Sequence, residues 1–158
     1  MEIERKFTIK ELPADLGRYE HKKIVQAYLC TDPVIRVRRS DDEYYMTYKG
    51  RGLIEREEYN LPLNKEAFEH LLTKADGKVI SKTRYLIPLE NPVFKDGYEQ
   101  ISDVMLTIEL DVFDPPHAPL VIAEIEFPDR HAADAYIPED WFYEDVSEDP
   151  RYHNSNMI

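Results

Sequence analysis

Apolar and charged residues alternate along most of this chain, the signature of half-buried β-strands rather than helices. Eight runs carry the alternation: Glu2–Ile9, Lys23–Cys30, Pro33–Ser40, Glu43–Lys49, Ile54–Leu61, Lys78–Ile87, Val104–Phe113 and Leu120–Phe127. Short polar or Pro/Gly turns join most of them, which predicts antiparallel neighbours. Helical signals are few. Asn64 caps a helix over K-E-A-F-E-H-L-L-T-K-A, which Asp76-Gly77 ends. A shorter helix is predicted over Leu12–Tyr19, with Pro13 in its first turn, and another over Arg130–Tyr136.

Strand parity sorts the charges. Glu2, Glu4 and Lys6 share one face of the first strand, while Ile3, Arg5 and Phe7 share the other. Two carboxylates about 7 Å apart along a strand, followed by an ammonium, suit a divalent metal beside a phosphate. Glu124 and Glu126 repeat the carboxylate pair near the far end of the chain. Between them, Arg36 and Arg38, Thr47 and Lys49, Arg56 and Glu58, Lys82 and Arg84, and Glu109 and Asp111 each share a face. An open sheet packed on helices, with its charges in water, is the plain alternative. Two observations oppose it: the helices cover too little sequence to bury eight strands, and several strands carry a single sign at spacing two. A closed barrel with the charged face inside satisfies both and leaves no open edges. The expected fold is therefore mainly β (α+β), a closed eight-stranded antiparallel barrel with a few flanking helices, built as one domain over residues 1–158.

Composition sharpens this picture. Of 20 basic and 32 acidic residues, seven of each fall on the shared face, leaving 13 and 25 elsewhere, so the whole net charge of −12 lies outside it. A neutral interior rich in both signs is too costly to bury dry and calls for a solvated cavity or a site filled by ligand and metal. The ligand that many cations and a carboxylate cluster want is a small polyanion bridged by a divalent cation. The acidic balance argues against nucleic acid or an anionic membrane as partner. No apolar run approaches the roughly 18 residues of a membrane span, and no signal region opens the chain. Cys30 stands alone, which excludes a disulfide framework and a thiolate metal site and fits the cytoplasm. His21, His70, His117, His131 and His153 lie in predicted loops or helices and read as surface residues. Arg5, on the apolar face, is expected to form an exterior salt bridge, and Trp141 to plug a barrel end or cover a helix seam. The stretch Glu90–Met105, with Asp96-Gly97 as a turn signal, predicts an extra hairpin. A homodimer is left open.

The ordered motifs resemble the CYTH superfamily, the triphosphate tunnel metalloenzymes, and small bacterial tripolyphosphatases in particular. The resemblance rests on E-x-E-x-K (Glu2, Glu4, Lys6), R-x-R (Arg36, Arg38), T-x-K (Thr47, Lys49), K-x-R (Lys82, Arg84), E-x-D-x-F (Glu109, Asp111, Phe113) and the late E-x-E (Glu124, Glu126). The tail D-V-S-E-D-P-R-Y-H-N, Asp145 to Asn154, is similar to the closing segment of small bacterial members. The resemblance implies an eight-stranded tunnel and metal-dependent hydrolysis of a triphosphate, most simply inorganic tripolyphosphate. Glu2, Glu4, Asp111, Glu124 and Glu126 would hold Mg²⁺ or Mn²⁺, which take oxygen ligands. Lys6, Arg36, Arg38, Lys49, Arg56, Lys82 and Arg84 would clamp the phosphates. Lys82 and Tyr28 match the positions implicated in activating the attacking water. Thiamine or nucleoside triphosphates are alternative substrates, a class IV adenylate cyclase an alternative activity, and a polyphosphate-binding module the non-enzymatic reading.

Overall fold

The computed structural model describes residues 1–98 and 105–158. In chain order these form β1 (Glu2–Ile9), β2 (Glu20–Thr31), β3 (Val34–Ser40), β4 (Glu43–Lys49), β5 (Glu55–Arg56), β6 (Glu58–Leu63), α1 (Lys65–Leu72), β7 (Asp76–Pro88), β8 (Val93–Phe94), β9 (Thr107–Phe113), β10 (Val121–Glu126), α2 (Arg130–Ala135), β11 (Tyr136–Ile137) and β12 (Phe142–Asp145). One antiparallel sheet runs β12-β1-β10-β9-β7-β2-β3-β4-β6, and β5 returns to pair with β1. The sheet thus curls into a nearly closed barrel whose wall is the eight predicted runs, with the Ile54–Leu61 run split into β5 and β6.

That split is the seam. Arg56 pairs with Glu2 and Glu55 with Ile3, while Glu58–Leu63 pairs with β4. The Glu4 amide donates to the Ile54 carbonyl at 3.0 Å and helps to hold the seam shut. Gly52 makes the approach possible: its φ is +135°, and a Cβ there would lie 2.2 Å from the Glu55 carbonyl oxygen.

The main apolar core lies outside the barrel wall. Phe7, Leu110, Ala123 and Ile125 on β1, β9 and β10 are at most 1% exposed and pack beneath Ala132, Ala133, Tyr136 and Phe142. Phe7 stacks on Phe142 with centroids 4.6 Å apart, and Trp141 meets Phe142 edge-on at 4.7 Å. Burial of each such side chain contributes roughly 1.5–3 kcal/mol. Arg5 donates to the Ala133 and Tyr136 carbonyls at 2.9 and 2.8 Å and pairs with Asp145 at 2.7 Å, tying the end of α2 to the wall. It is the exterior salt bridge expected from its parity.

A second cluster closes one end of the barrel. Tyr28, Val34, Ile80, Phe113 and Ile122 meet Tyr152, Met157 and Ile158 of the C-terminal tail. The tail crosses from the Lys6 carbonyl, which accepts from the Val146 amide at 2.9 Å, through 3₁₀ turns at Pro150–Tyr152 and Asn154–Asn156.

Three local expectations need correction. Leu12–Tyr19 contains only a 3₁₀ turn, Leu16–Arg18, because Asp15 adopts φ 57° and the turn has no buried side chain to repay helix formation. Asp76-Gly77 begins β7 rather than ending α1, which stops earlier, where the Thr73 hydroxyl donates to the His70 carbonyl at 2.6 Å. Gly77 takes φ +69°, and a Cβ there would meet Ile158 at 2.7 Å. Of the hairpin expected in Glu90–Met105, the described arm Val93–Phe94 pairs with β11, and the remainder falls on residues 99–104, outside the described residues.

Candidate active site

Period-two geometry delivers the charged face to the barrel interior. A cavity of about 380 Å³ is lined by thirteen of the fourteen charged residues assigned to that face. They are Glu2, Glu4 and Lys6 from β1, Arg36 and Arg38 from β3, Lys49 from β4, Arg56 and Glu58 from the seam, Lys82 and Arg84 from β7, Glu109 from β9, and Glu124 and Glu126 from β10. Tyr28, 2% exposed, also lines it from β2.

Asp111 departs from the expected metal set. It is 0% exposed and does not line the cavity. Its oxygens are taken by Lys82 Nζ at 2.7 Å and by the Arg84 fork at 2.7 and 2.9 Å. Despite burial, which works the other way, Arg84 and Lys82 hold its carboxyl below the usual range. Asp111 is thus a support beneath the two cations, because strand parity sets a side chain's face but not its depth.

The cations divide into two groups. Lys6 sits 3.7 Å from Glu4 and 3.6 Å from Glu124; Lys49 sits 3.0 Å from Glu2 and 3.3 Å from Glu58. Arg56 reaches Glu2 at 3.7 Å, and Arg84 reaches Glu109 at 2.6 Å and Glu124 at 3.5 Å. Arg36 and Arg38 differ. Each is 6% exposed, and neither forms an ion pair among the described residues. Arg36 donates to the Thr47 hydroxyl at 3.2 Å, and its Nε is buried without a partner among the described residues. Arg38 donates from Nε to Gln26 Oε1 at 2.8 Å and from Nη1 to the Tyr45 hydroxyl at 3.4 Å. Burial, with Arg36 and Arg84 nearby, lowers the Arg38 pKa. Two buried guanidinium groups without a carboxylate are what an anionic ligand would neutralise.

Lys82 is the most enclosed cation, at 0% exposed. Its ammonium meets Asp111 and, at 3.0 Å, Asn154 Oδ1, and lies 5.2 Å from the Phe113 ring centroid. Burial drives its pKa down to about 7, Arg84 and Arg38 adding repulsion against the pull of Asp111. The amine is therefore poised near neutrality.

The cavity carboxylates interleave with these cations. Burial and the neighbouring Glu124 raise Glu4, while burial raises Glu2, helped by Glu58. Glu58 itself, against its burial, is held down to about 2 by hydrogen bonding with Glu2 and by Lys49. Glu124, despite burial, is held well below the usual range by Lys6 and Arg84. Glu126, at the exposed rim, is pushed up to about 7 by desolvation and by Glu2, Glu58, Glu109 and Glu4. Among the described residues, no three Asp, Glu, His or Cys side chains already converge as a metal cage. Lys6 stands between Glu4 and Glu124, and Lys49 and Arg56 engage Glu2. The donor chemistry nevertheless fits a hard divalent ion: all-oxygen groups, mutually repelling, with Glu126 in no ion pair among the described residues.

Tyr28 and Thr47 were legible in the sequence, but other neutral residues of the site were not. Gln26 (0% exposed), Asn154, Ser155, Tyr45 and Asn60 all lie at or in the cavity. Gln26 could have been found as the lone amide on the apolar side of Ile24–Tyr28; Asn154 had only the tail motif to mark it. His153 corrects the surface reading: it is 4% exposed, and burial with Lys6 and Arg56 nearby lowers its pKa to about 4.

A barrel with a polar, doubly charged interior defines a class of protein that handles a small polyanion. The CYTH domain model matches residues 1–141, and the chain belongs to that family. It is 38% identical to an inorganic triphosphatase of Nitrosomonas europaea, covering 99% of this chain and 95% of the relative. It is 35% identical to an inorganic triphosphatase of Acetivibrio thermocellus, covering 99% and 92%. The crystal structure of the inorganic triphosphatase NE1496 matches with a TM-score of 0.68 and 34% identity over 99% of this chain and 93% of that one. A putative adenylate cyclase from Bacillus halodurans, at 13% identity and TM-score 0.51 over 95% and 97%, shares the fold.

Proposed function

We propose that the protein hydrolyses a triphosphate, most simply inorganic tripolyphosphate, to pyrophosphate and phosphate inside the barrel. The observation that carries this reading is the pair of buried guanidinium groups, Arg36 and Arg38, left without a carboxylate among the described residues. A tripolyphosphate of about four negative charges supplies what they lack, and Arg forks suit phosphate oxygens. The two relatives named inorganic triphosphatase support the same substrate class.

Lys6, Arg36, Arg38, Lys49, Arg56 and Arg84 bind and orient the phosphate chain in this reading. Lys82, with an amine that loses its proton near pH 7, accepts a proton from the attacking water. The new bond joins that water's oxygen to the terminal phosphorus, and the bond from phosphorus to the bridging oxygen breaks in line with it. Tyr28 aligns the water from the adjoining wall. Glu2, Glu4, Glu124 and Glu126 would hold Mg²⁺ or Mn²⁺, with Asp111 acting beneath Lys82 and Arg84. When bound, that ion supplies positive charge that polarises phosphoryl oxygens and steadies the leaving group. Residues 1–158 act as one unit, since the tail docks into the barrel end. Among the described residues, no helix is long and apolar enough to cross a membrane; a cytoplasmic enzyme fits the single cysteine.

One panel tests the reading: tripolyphosphate, thiamine triphosphate and ATP, each with Mg²⁺ or Mn²⁺, monitoring phosphate, pyrophosphate and cyclic AMP. Phosphate released fastest from tripolyphosphate is expected. Cyclic AMP with pyrophosphate from ATP would replace hydrolase by cyclase, and binding without turnover would replace enzyme by binding module. Tyr28→Phe with undiminished turnover would remove Tyr28 from the mechanism.

A further inference from the structure

The carboxamide of Asn154 has its orientation dictated by its neighbours. Arg38 donates from Nε and Nη2 to Gln26 Oε1 at 2.8 and 2.5 Å, and a guanidinium can only donate. The Gln26 amide nitrogen therefore faces the other way, donating to Asn154 at 3.2 Å. The atom it meets must be an acceptor, so it is Oδ1, and Lys82 Nζ donates to the same oxygen at 3.0 Å. This assignment holds whether the Lys82 amine is charged or neutral.

With Oδ1 engaged twice, Nδ2 is turned away from that network. Asn154 lines the cavity and is 9% exposed, yet its Nδ2 donates to no protein acceptor among the described residues. Two N–H donors on a locked, nearly buried carboxamide therefore have only the cavity to serve. Such donors lose little conformational freedom when they bind, because Lys82 and Gln26 already hold the group still.

We propose that Asn154 is a further substrate-binding residue, its amide N–H groups donating to an oxygen of the phosphoryl group seated beside Lys82. This rests on the reading of the cavity as a triphosphate site and adds a residue of the tail to it. A neutral donor suits that position. It binds a phosphate oxygen without adding another cation next to Lys82, Arg84 and Arg38.

The test uses full-length protein and tripolyphosphate, with binding measured by calorimetry in chelator and turnover measured separately with Mg²⁺. Asn154→Asp keeps an oxygen for Lys82 and Gln26 to donate to, but replaces the two N–H donors with a second oxygen and a negative charge. Asn154→Ala removes the acceptor and the donors alike. Affinity is expected to fall about tenfold in Asn154→Ala and further in Asn154→Asp, with kcat/KM falling at least as much. In the unaltered protein, the Asn154 side-chain amide ¹⁵N–H resonances, assigned by their loss in Asn154→Asp, are expected to shift on saturation with tripolyphosphate. Resonances that stay in place, or a folded Asn154→Ala with unaltered affinity, would overturn the proposal while leaving the triphosphatase reading intact. An unaltered protein that neither binds nor hydrolyses tripolyphosphate would overturn both.

Discussion

Arg36 and Lys82 show how the same barrel interior asks opposite things of two cations. Arg36 costs stability, because its charge is buried with, among the described residues, one hydroxyl partner and an unpartnered Nε. Arg36→Met is therefore expected to raise the melting temperature by a few degrees while weakening tripolyphosphate binding at least tenfold. Thermal denaturation and calorimetry check the two halves, and a lower melting temperature would show that Arg36 supports the fold. For Lys82 the sign runs with pH. Its pKa falls from 10.5 unfolded to about 7 folded, so the folded state disfavours the proton, and its contribution to stability grows as pH rises from about 7 towards 10.5. If its neutral amine accepts the water's proton, turnover must climb through about pH 7. Lys82→Met is expected to lose that rising limb along with about 10²–10⁴ of kcat, read from pH–rate profiles. The sequence marked both residues because charge at spacing two is conspicuous. It could not rank them, since parity says nothing of which cation finds a carboxylate. Gln26 and Asn154 were harder still: an uncharged amide leaves no trace in a charge pattern, and its role emerges only when Arg38 fixes its orientation.

At the scale of elements, alternation located the barrel wall well because each strand has one wet and one dry face. It failed where backbone conformation rather than burial decides, as in Leu12–Tyr19, where Asp15 turns left-handed. The seam is the element on which the site depends most. Gly52 lets the chain turn so that Arg56 and Glu58 face inward beside Glu2 and Lys49. Gly52→Ala would drive a methyl group into the Glu55 carbonyl, and relief requires β5 to leave β1. A stability loss of at least about 1–3 kcal/mol is expected, with faster amide hydrogen exchange at Glu4, whose amide bonds Ile54 across the seam. Exchange at Glu4 as slow as in the unaltered protein would show that the seam tolerates the side chain.

For the whole molecule, the acidic exterior and the balanced interior are separate designs. The exterior carries the −12 and keeps polyanions at a distance in general, while the interior offers Arg36 and Arg38 to one small enough to enter. Tripolyphosphate should therefore bind without any metal. At a hundred times its dissociation constant it is expected to stabilise the fold by about 2.7 kcal/mol, read as a rise in melting temperature in chelator. No rise would mean that the interior cations are satisfied without ligand.

The register of the sheet also sets an order of events in time. The walls bearing Arg36, Arg38 and Lys49 are successive hairpins, β2 to β3 to β4, whose partners are close in sequence. The carboxylates lie on the β1–β10 pairing, which joins Glu4 to Glu126 and Phe7 to Ala123 and must wait for a very long loop to close. A chain that closes its local hairpins first would present an inner face bearing Arg36, Arg38 and Lys49 before the carboxylates of β1 and β10 arrive. During that interval polyanions have their easiest access, and tripolyphosphate can act as a template for closure as well as a substrate. Stopped-flow refolding with and without tripolyphosphate would register this as a faster final phase.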